Sequence, residues 1–310
     1  MKKLPLFDLH CDTVTEAYNQ NTHLKSNGLH LSFDGLSDYE PFCQVLAVWS
    51  SDKLTPDAAW SRFLEVRRYL DAELAENPDV KLADGFADME NHSRSVMLAV
   101  EGGKLIENDL GRLELLRSLG VRLLTLTWND PCDICGANGT DTGVTDFGYK
   151  VLCRCLTLGI IPDISHASDK TAYDVIAYVK EKGGVCVATH SNSRTVCQHS
   201  RNLTDDIFKK LVDMGSLVGI SMAPQHLSRD GKADADTVCR HIEHYLSLGG
   251  CDTVCLGCDF DGIEKTPEGI TSVSGLYCLA DKMAERGLSE KIINKIFYKN
   301  ARDFFARHMK

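Results

Sequence analysis

The chain has 310 residues, 43% hydrophobic and 25% charged, a composition that fits a globular protein with a sizeable core and excludes a disordered or fibrous one. Lys and Arg total 34 against 44 Asp and Glu, a formal charge of −10, and no basic run offers a polyanion a track, so no nucleic-acid partner is expected. No stretch approaches the ~18 apolar residues of a membrane span, and Asp8, His10 and Asp12 interrupt the only candidate leader, so no membrane association and a cytoplasmic location are expected.

Thirteen cysteines are scattered and odd in number, which fits reduced thiols better than a disulfide framework. Cys132 and Cys135 form one CxxC, in DPCDIC. A structural zinc ribbon needs a second such pair, and Cys153-Arg-Cys155 has the wrong spacing, so these read as buried or loop thiols.

In chain order, short β-branched or apolar runs bounded by turn residues predict strands over 4–9, 43–49, 96–100, 121–127, 160–165, 185–189, 217–222 and 253–257. Helix-length segments lie between most of them. Ser168 caps one that carries Tyr173, Ile176 and Val179 and stops near Gly183-Gly184; Thr204, with Asp205 and Asp206, opens one that carries Ile207, Leu211 and Met214 and ends at Gly215. Alternation of this kind implies a parallel sheet, and eight units in a chain somewhat above the typical ~250 residues predict a (β/α)8 TIM barrel forming one domain over 1–310. Residues 20–40 break the rhythm and are too long for a tight connection, so they predict a lid or subunit contact.

Barrel enzymes place their chemistry at the C-terminal ends of the strands. There the first strand presents His10 and Asp12, the third Glu101 of AVEGG, the fifth His166 of DISHAS, the sixth His190 of ATHSNS and the eighth Asp259 of LGCDFDG. One histidine at a strand end is ordinarily a hydrogen-bonded loop residue; metal-capable side chains at five ends are hard to ascribe to coincidence. His10 and Asp12 stand two apart, so strand alternation points both to one face and Cys11 to the other, while Asp12 could equally cap the next helix. Three histidines and two carboxylates exceed the three ligands usual at one catalytic zinc, which suggests two metals sharing a bridging carboxylate. Glu101 is the natural bridge, since Gly102-Gly103 leave room beside it or make a tight turn. Zn2+ suits the set best, with Mn2+ or Co2+ as alternatives. His241 and His244 read as a solvated helix face, Asp261 as a turn residue, and His226 is unassigned.

HxD in LHCDT, VEGG at 100–103, DISHAS at 163–168, THSNSRTVCQHSRN at 189–202 and GCDFDG at 257–262 together resemble the membrane (renal) dipeptidases and their bacterial relatives, peptidase family M19. The tail KTPEGI followed by KNARDFF is similar to the family too. The resemblance implies a binuclear zinc barrel, commonly dimeric, that hydrolyses dipeptides by a bridging hydroxide. Carried over, His10 and Asp12 would hold one zinc, His166 and His190 the other, and Glu101 would bridge; Asp259 would be the acid/base and Arg201 would grip the substrate carboxylate. Where mammalian members have a substrate-contacting histidine in LTH, this chain has Trp128, as bacterial members do, and Trp128 and Asn129 fall on the substrate side. Trp128 either stacks on substrate or fills the rim. Two alternatives remain at this point: a metal-dependent phosphoesterase or nuclease barrel, and a non-catalytic binding relative.

Overall fold

A computed structural model describes residues 3–309. The strands among them are β1 (Leu6–Cys11), β2 (Phe42–Trp49), β3 (Lys81–Leu82), β4 (Arg94–Glu101), β5 (Val121–Thr125), β6 (Ile161–Asp163), β7 (Val218–Ile220) and β8 (Val254–Leu256). They pair in the order β6-β5-β4-β2-β1-β8-β7, with β3 beside β4, and every pair is parallel. Residues 185–189 occupy the remaining barrel position without a ladder: Val187 bridges Asp163 on one side and Ala188 bridges Val218 on the other. This is the TIM-barrel-like α/β fold that the alternation predicts.

Strands β6, β7 and β8 are shorter than the sequence predicts, and at β6 the cause is visible. Pro162 has no N–H to give the ladder. The Ile164 N–H still donates to the Val187 carbonyl, but the Asp163 carboxylate takes the next N–H groups, those of Ser165 and Thr189, each at 2.9 Å, so a side chain ends the strand pairing there. Helix ends follow the sequence closely. The hydroxyls of Ser168 and Thr204 accept from the N–H groups of Thr171 and Ile207, opening helices Asp169–Glu181 and Asp205–Asp213.

Two apolar layers result. The outer core lies between the barrel and its helices and includes Leu6, Cys11, Val48, Val100 and Leu256. The inner one takes alternate strand residues, among them Phe7, Leu9, Val45, Ala99 and Leu123, and is completed by Phe304 and Phe305 of the last helix, Asn300–His308. Phe305 stacks on Phe7 with ring centroids 5.2 Å apart. Each buried phenyl contributes about 1.5–3 kcal/mol, so this helix is an integral part of the barrel. Residues 20–40 are fixed at the rim: Leu24, Leu31, Phe33, Leu36 and Tyr39 are buried, and the His30 N–H donates to Asp261 at 2.7 Å.

Gly219 and Gly257 press from β7 and the end of β8 on one atom, the carbonyl oxygen of Thr189, which a Cβ at either glycine would overlap. Gly257→Ala is expected to cost about 3 kcal/mol, since backbone cannot yield as a side chain can. Gly159→Ala, at an open helix end with φ 71°, should cost nearer 1 kcal/mol. Urea unfolding of the two variants measures the difference.

Candidate metal centre

Five strand-end residues converge at one rim. On β1 three residue steps, Asp8 to Cys11, match two on β2, Gln44 to Leu46, and this bulge re-aims His10. The strand ends at Cys11, whose thiol faces the outer layer and lies 3.5 Å from the Val45 carbonyl oxygen. Asp12 therefore meets His10 through the turn into helix Thr13–Asn19 and not through strand alternation. It occupies the cap position of that helix, yet its carboxylate makes no capping bond and lies 3.5 Å from His10 Nε2.

Glu101, the last residue of β4, is the hub. Its Oε1 is 3.0 Å from His166 Nε2, 3.4 Å from His190 Nε2 and 3.7 Å from His10 Nε2. Asp259 Oδ1 lies 4.0 Å from His10 Nε2, and its Oδ2 accepts from the Ser221 hydroxyl at 3.3 Å. His166 and Asp259 have φ of 67° and 63°, a left-handed conformation uncommon outside glycine, so the fold accepts some backbone strain to aim both. Gly102, with φ 95°, and Gly103, against the Leu126 carbonyl, serve the turn and its packing. Room at the site comes from Gly262, where a Cβ would strike the carboxylates of Asp12 and Asp259.

All five candidate ligands and Asp259 are buried, at 8% exposure or less. Burial and repulsion from Glu101 push the Asp12 carboxyl up to about 8. Asp259 is pushed up to about 7, first by burial. Burial would raise Glu101 too, but His10 and His166 outweigh it and hold the group well below the usual carboxylate range. For His10 burial opposes charge, and Glu101 with Asp12 overcomes it, raising the imidazole well above its ordinary value. His166 is lowered to about 4 and His190 well below its ordinary value, both first by burial.

Such a set suits divalent cations. Ligand atoms of His10, Glu101 and His190 lie within 4.8 Å of one another, as do those of His10, Asp12 and Asp259. His10 Nε2, His190 Nε2 and Asp12 Oδ1 are buried with no hydrogen-bond partner, a cost the fold has reason to bear only if a ligand satisfies them. The imidazole and carboxylate chemistry fits Zn2+, with Mn2+ or Co2+ accommodated by the same donors.

These proton affinities set a pH dependence for the cation-free protein. Asp12 and Asp259 hold protons in the folded state that the unfolded chain releases near pH 4, so stability falls as pH rises toward their folded values of about 8 and 7. His10 acts in the same direction. His166 and His190 act oppositely, but only below their ordinary value of 6.5. Between pH 6.5 and 8 the cation-free protein should lose about 2 kcal/mol in urea unfolding, and saturating Zn2+ should remove the fall by displacing the protons. A flat cation-free profile would contradict protonated Asp12 and Asp259.

The centre opens into a cavity of about 530 Å3. Asp12, Glu16, Glu101, Asp259 and Asp261 bring carboxylates to it, while Arg201, His199, His226, Asn138 and Gln225 supply nitrogen donors. Arg201 is 7% exposed, and its Nε and Nη2 are buried without partners. Trp128 lines the cavity and packs edge-on against Trp49 at 4.9 Å, so rim-filling and access to a ligand are combined in one ring. Asn129 also lines the cavity, but its Oδ1 lies 3.1 Å from His166 Nδ1, which makes it a partner of a candidate ligand.

His241 corrects the sequence reading. It is fully buried, its Nδ1 accepting from the Ser193 N–H at 3.1 Å and its Nε2 lying 2.9 Å from the Leu227 carbonyl, because it shares a helix face with Val238 and Tyr245. His244 is half-buried against Asp205. Asp261 both turns the chain, with φ 67°, and accepts from Thr13 Oγ1 at 2.5 Å. His199 and Asn138 line the cavity from loops, and Gln225 and His226 from the one-turn helix Pro224–Leu227, segments too short or irregular for sequence spacing to carry a directional signal. All thirteen cysteines are unpaired.

Residues 1–305 match the family model described as membrane dipeptidase, peptidase family M19. An uncharacterized dipeptidase of Schizosaccharomyces pombe is 31% identical over 68% of this chain and 53% of its own length, so the chain spans about half of that relative. Among solved structures, a metallopeptidase termed dipeptidase AC superposes with a TM-score of 0.91 at 26% identity, covering 99% of both chains. A Rhodobacter sphaeroides metallopeptidase, liganded with a phosphinate mimic of the dipeptide L-Ala-D-Ala, gives 0.89 at 25% identity over 99% of this chain and 100% of its own.

Proposed function

The chain belongs to the membrane dipeptidase family, peptidase family M19, a family of metallo-dipeptidases, and on that premise we propose that it acts as a single-domain, zinc-dependent hydrolase of dipeptides. One observation carries the reading: buried atoms of His10, His190 and Asp12 lack partners and suit a cation, while those of Arg201, which lines the same cavity as Asp12, lack partners and suit an anion. A dipeptide offers both functions at that scale, an amide to cleave and a free carboxylate to hold.

In this reading His10 and Asp12 would hold one Zn2+ and His166 and His190 the other, with Glu101 shared between them. Bound there, two such cations supply a nucleophile at neutral pH and neutralise charge developing on the carbonyl oxygen. Asp259, pushed to about 7, takes a proton from the nucleophile and returns it to the departing amine, which is otherwise a very poor leaving group. Arg201 pairs with the substrate carboxylate through its Nε and Nη2 fork. With Arg201 holding the carboxylate, Glu16 is the lining carboxylate left for the substrate's amino end. Trp128 closes the side of the pocket.

The R. sphaeroides neighbour's dipeptide mimic supports the substrate class. Arg201 is the only Lys or Arg side chain among the residues lining the cavity, which disfavours a phosphodiester backbone. No helix among the described residues is long and apolar enough to cross a membrane. The proposal includes a cytoplasmic homodimer, which cell fractionation and light scattering measure.

The test is a panel of dipeptides, including L-Xaa-D-Xaa members, their C-terminal amides and tripeptides, given to zinc-loaded protein. Free dipeptides should be cleaved, and amides should lose about 10- to 100-fold in kcat/KM, the worth of a charge-assisted pair of about 1.5–3 kcal/mol. If no dipeptide is hydrolysed by protein holding two Zn2+ per chain, the reading fails.

A further inference from the structure

His190 reaches the centre with only one of its ring nitrogens. Nε2 is buried and without a hydrogen-bond partner, 3.4 Å from Glu101 Oε1. Nδ1 lies 2.9 Å from the hydroxyl of Thr189, and that hydroxyl lies 2.6 Å from Oδ2 of Asp163. Asp163 is fully buried and surrounded by donors alone: Oδ1 receives the N–H groups of Ser165 and Thr189, and Oδ2 the hydroxyls of Thr125, at 2.7 Å, and Thr189.

A hydroxyl has one proton. At an acceptor-only carboxylate, the Thr189 proton is committed to Asp163, so its oxygen can meet His190 Nδ1 only as an acceptor. The proton on His190 must then sit on Nδ1, leaving the Nε2 lone pair for the centre. We propose that Asp163 is a positioning residue which, acting through the Thr189 hydroxyl, fixes the tautomer of His190 and so makes its Nε2 a ligand.

The arrangement has a parallel at the neighbouring histidine. His166 Nδ1 faces Asn129 Oδ1 at 3.1 Å while its Nε2 faces Glu101, so both histidines are held from behind and offer the same nitrogen. Second partners of this kind hold ring orientation and raise ligand basicity, and their loss typically costs about 10- to 100-fold in metal affinity. The backbone of Thr189 is itself closely packed, with Gly219 and Gly257 against its carbonyl oxygen, while its hydroxyl makes the contacts of 2.6 and 2.9 Å.

The inference rests on the metal-centre reading, and the experiment separates the two. Zn2+ affinity is measured by chelator competition on wild type, Asp163→Asn, Thr189→Val and Thr189→Ser, with thermal melts as the folding control. The tautomer is read in the cation-free proteins from the ring 15N shifts of labelled histidine, the His190 signals being assigned with His190→Gln. Wild type should show the proton on Nδ1. Thr189→Val should bind Zn2+ about 10- to 100-fold more weakly, with Thr189→Ser restoring most of the affinity. In Asp163→Asn the amide N–H can donate to Thr189, whose own proton is then free for Nδ1, so the His190 proton should move to Nε2. Retention of wild-type Zn2+ affinity by folded Thr189→Val, or an Nε2 proton in wild type, overturns the relay. If Asp163→Asn does not fold, the Thr189 pair decides alone. Failure of wild type itself to bind Zn2+ would instead sink the metal reading, while the 15N shifts still decide the tautomer.

Discussion

Asp259→Asn is expected to retain both metal ions and lose about 10^2- to 10^4-fold in kcat, the span a positioned acid/base supplies. Two features make the outcome separable. Asp259 stands at the edge of the centre, its Oδ1 4.0 Å from His10, and asparagine keeps its shape and can still accept from Ser221. What asparagine cannot do is hold a proton near neutrality, the property that burial confers on this carboxyl by raising it to about 7. Metal content by mass spectrometry and kcat on one preparation decide the matter. Near-wild-type kcat in a fully metallated variant removes Asp259 from the acid/base role; loss of metal with loss of rate makes it a ligand.

Glu101→Gln should fail differently, losing metal first. Three imidazole nitrogens approach one oxygen of this residue within 3.0 to 3.7 Å. Removing its charge withdraws the shared ligand and also leaves the raised imidazolium of His10 short of its main counter-charge. Fewer than one Zn2+ per chain is expected, with a further loss of about 3 kcal/mol in the cation-free protein, the scale for breaking a buried pair from one side. A Glu101→Gln protein that still binds two Zn2+ would refute the bridge. The two variants differ in kind: one should be metallated and slow, the other empty and unstable.

The strand-end residues were legible because a parallel barrel sends every C-terminal strand end to one rim, so position along the chain stands in for position in space. That logic brought His10, Glu101, His166, His190 and Asp259 together across sequence gaps that no local signal spans. It failed where side-chain direction depends on something other than a strand. Alternation did not foresee the bulge that re-aims His10, nor that Asp12 arrives by a turn. The 185–189 run forms the expected barrel element, but its pairing stops at one bridge on each side and the Asp163 carboxylate takes the Thr189 N–H, and a buried acceptor inside DISHAS is not visible as such in sequence. His241 was placed on the wrong face, although its spacing from Val238 and Tyr245 carried the information. Asn129 lines the cavity and also contacts His166, a contact that depends on a loop path spacing cannot supply.

The junction of β1 with the segment after β8 has a consequence for how the protein is made. The N–H groups of Cys258, Asp259 and Phe260's neighbour Asp12 tie the two regions together: Cys258 donates to Asp8, 250 residues away, Asp259 to the His10 carbonyl, and Asp12 to the Phe260 carbonyl. A nascent chain emerging from the ribosome thus displays His10 and Asp12 long before anything exists to hold them. Their geometry depends on contacts of great sequence separation, which must close before the pair is held. Until then the thiols of Cys11 and Cys258, both fully buried in the finished barrel, are open to solvent and to any soft metal ion present during synthesis. A cation that needs His10 and Asp12 together therefore has its site only once the barrel has closed.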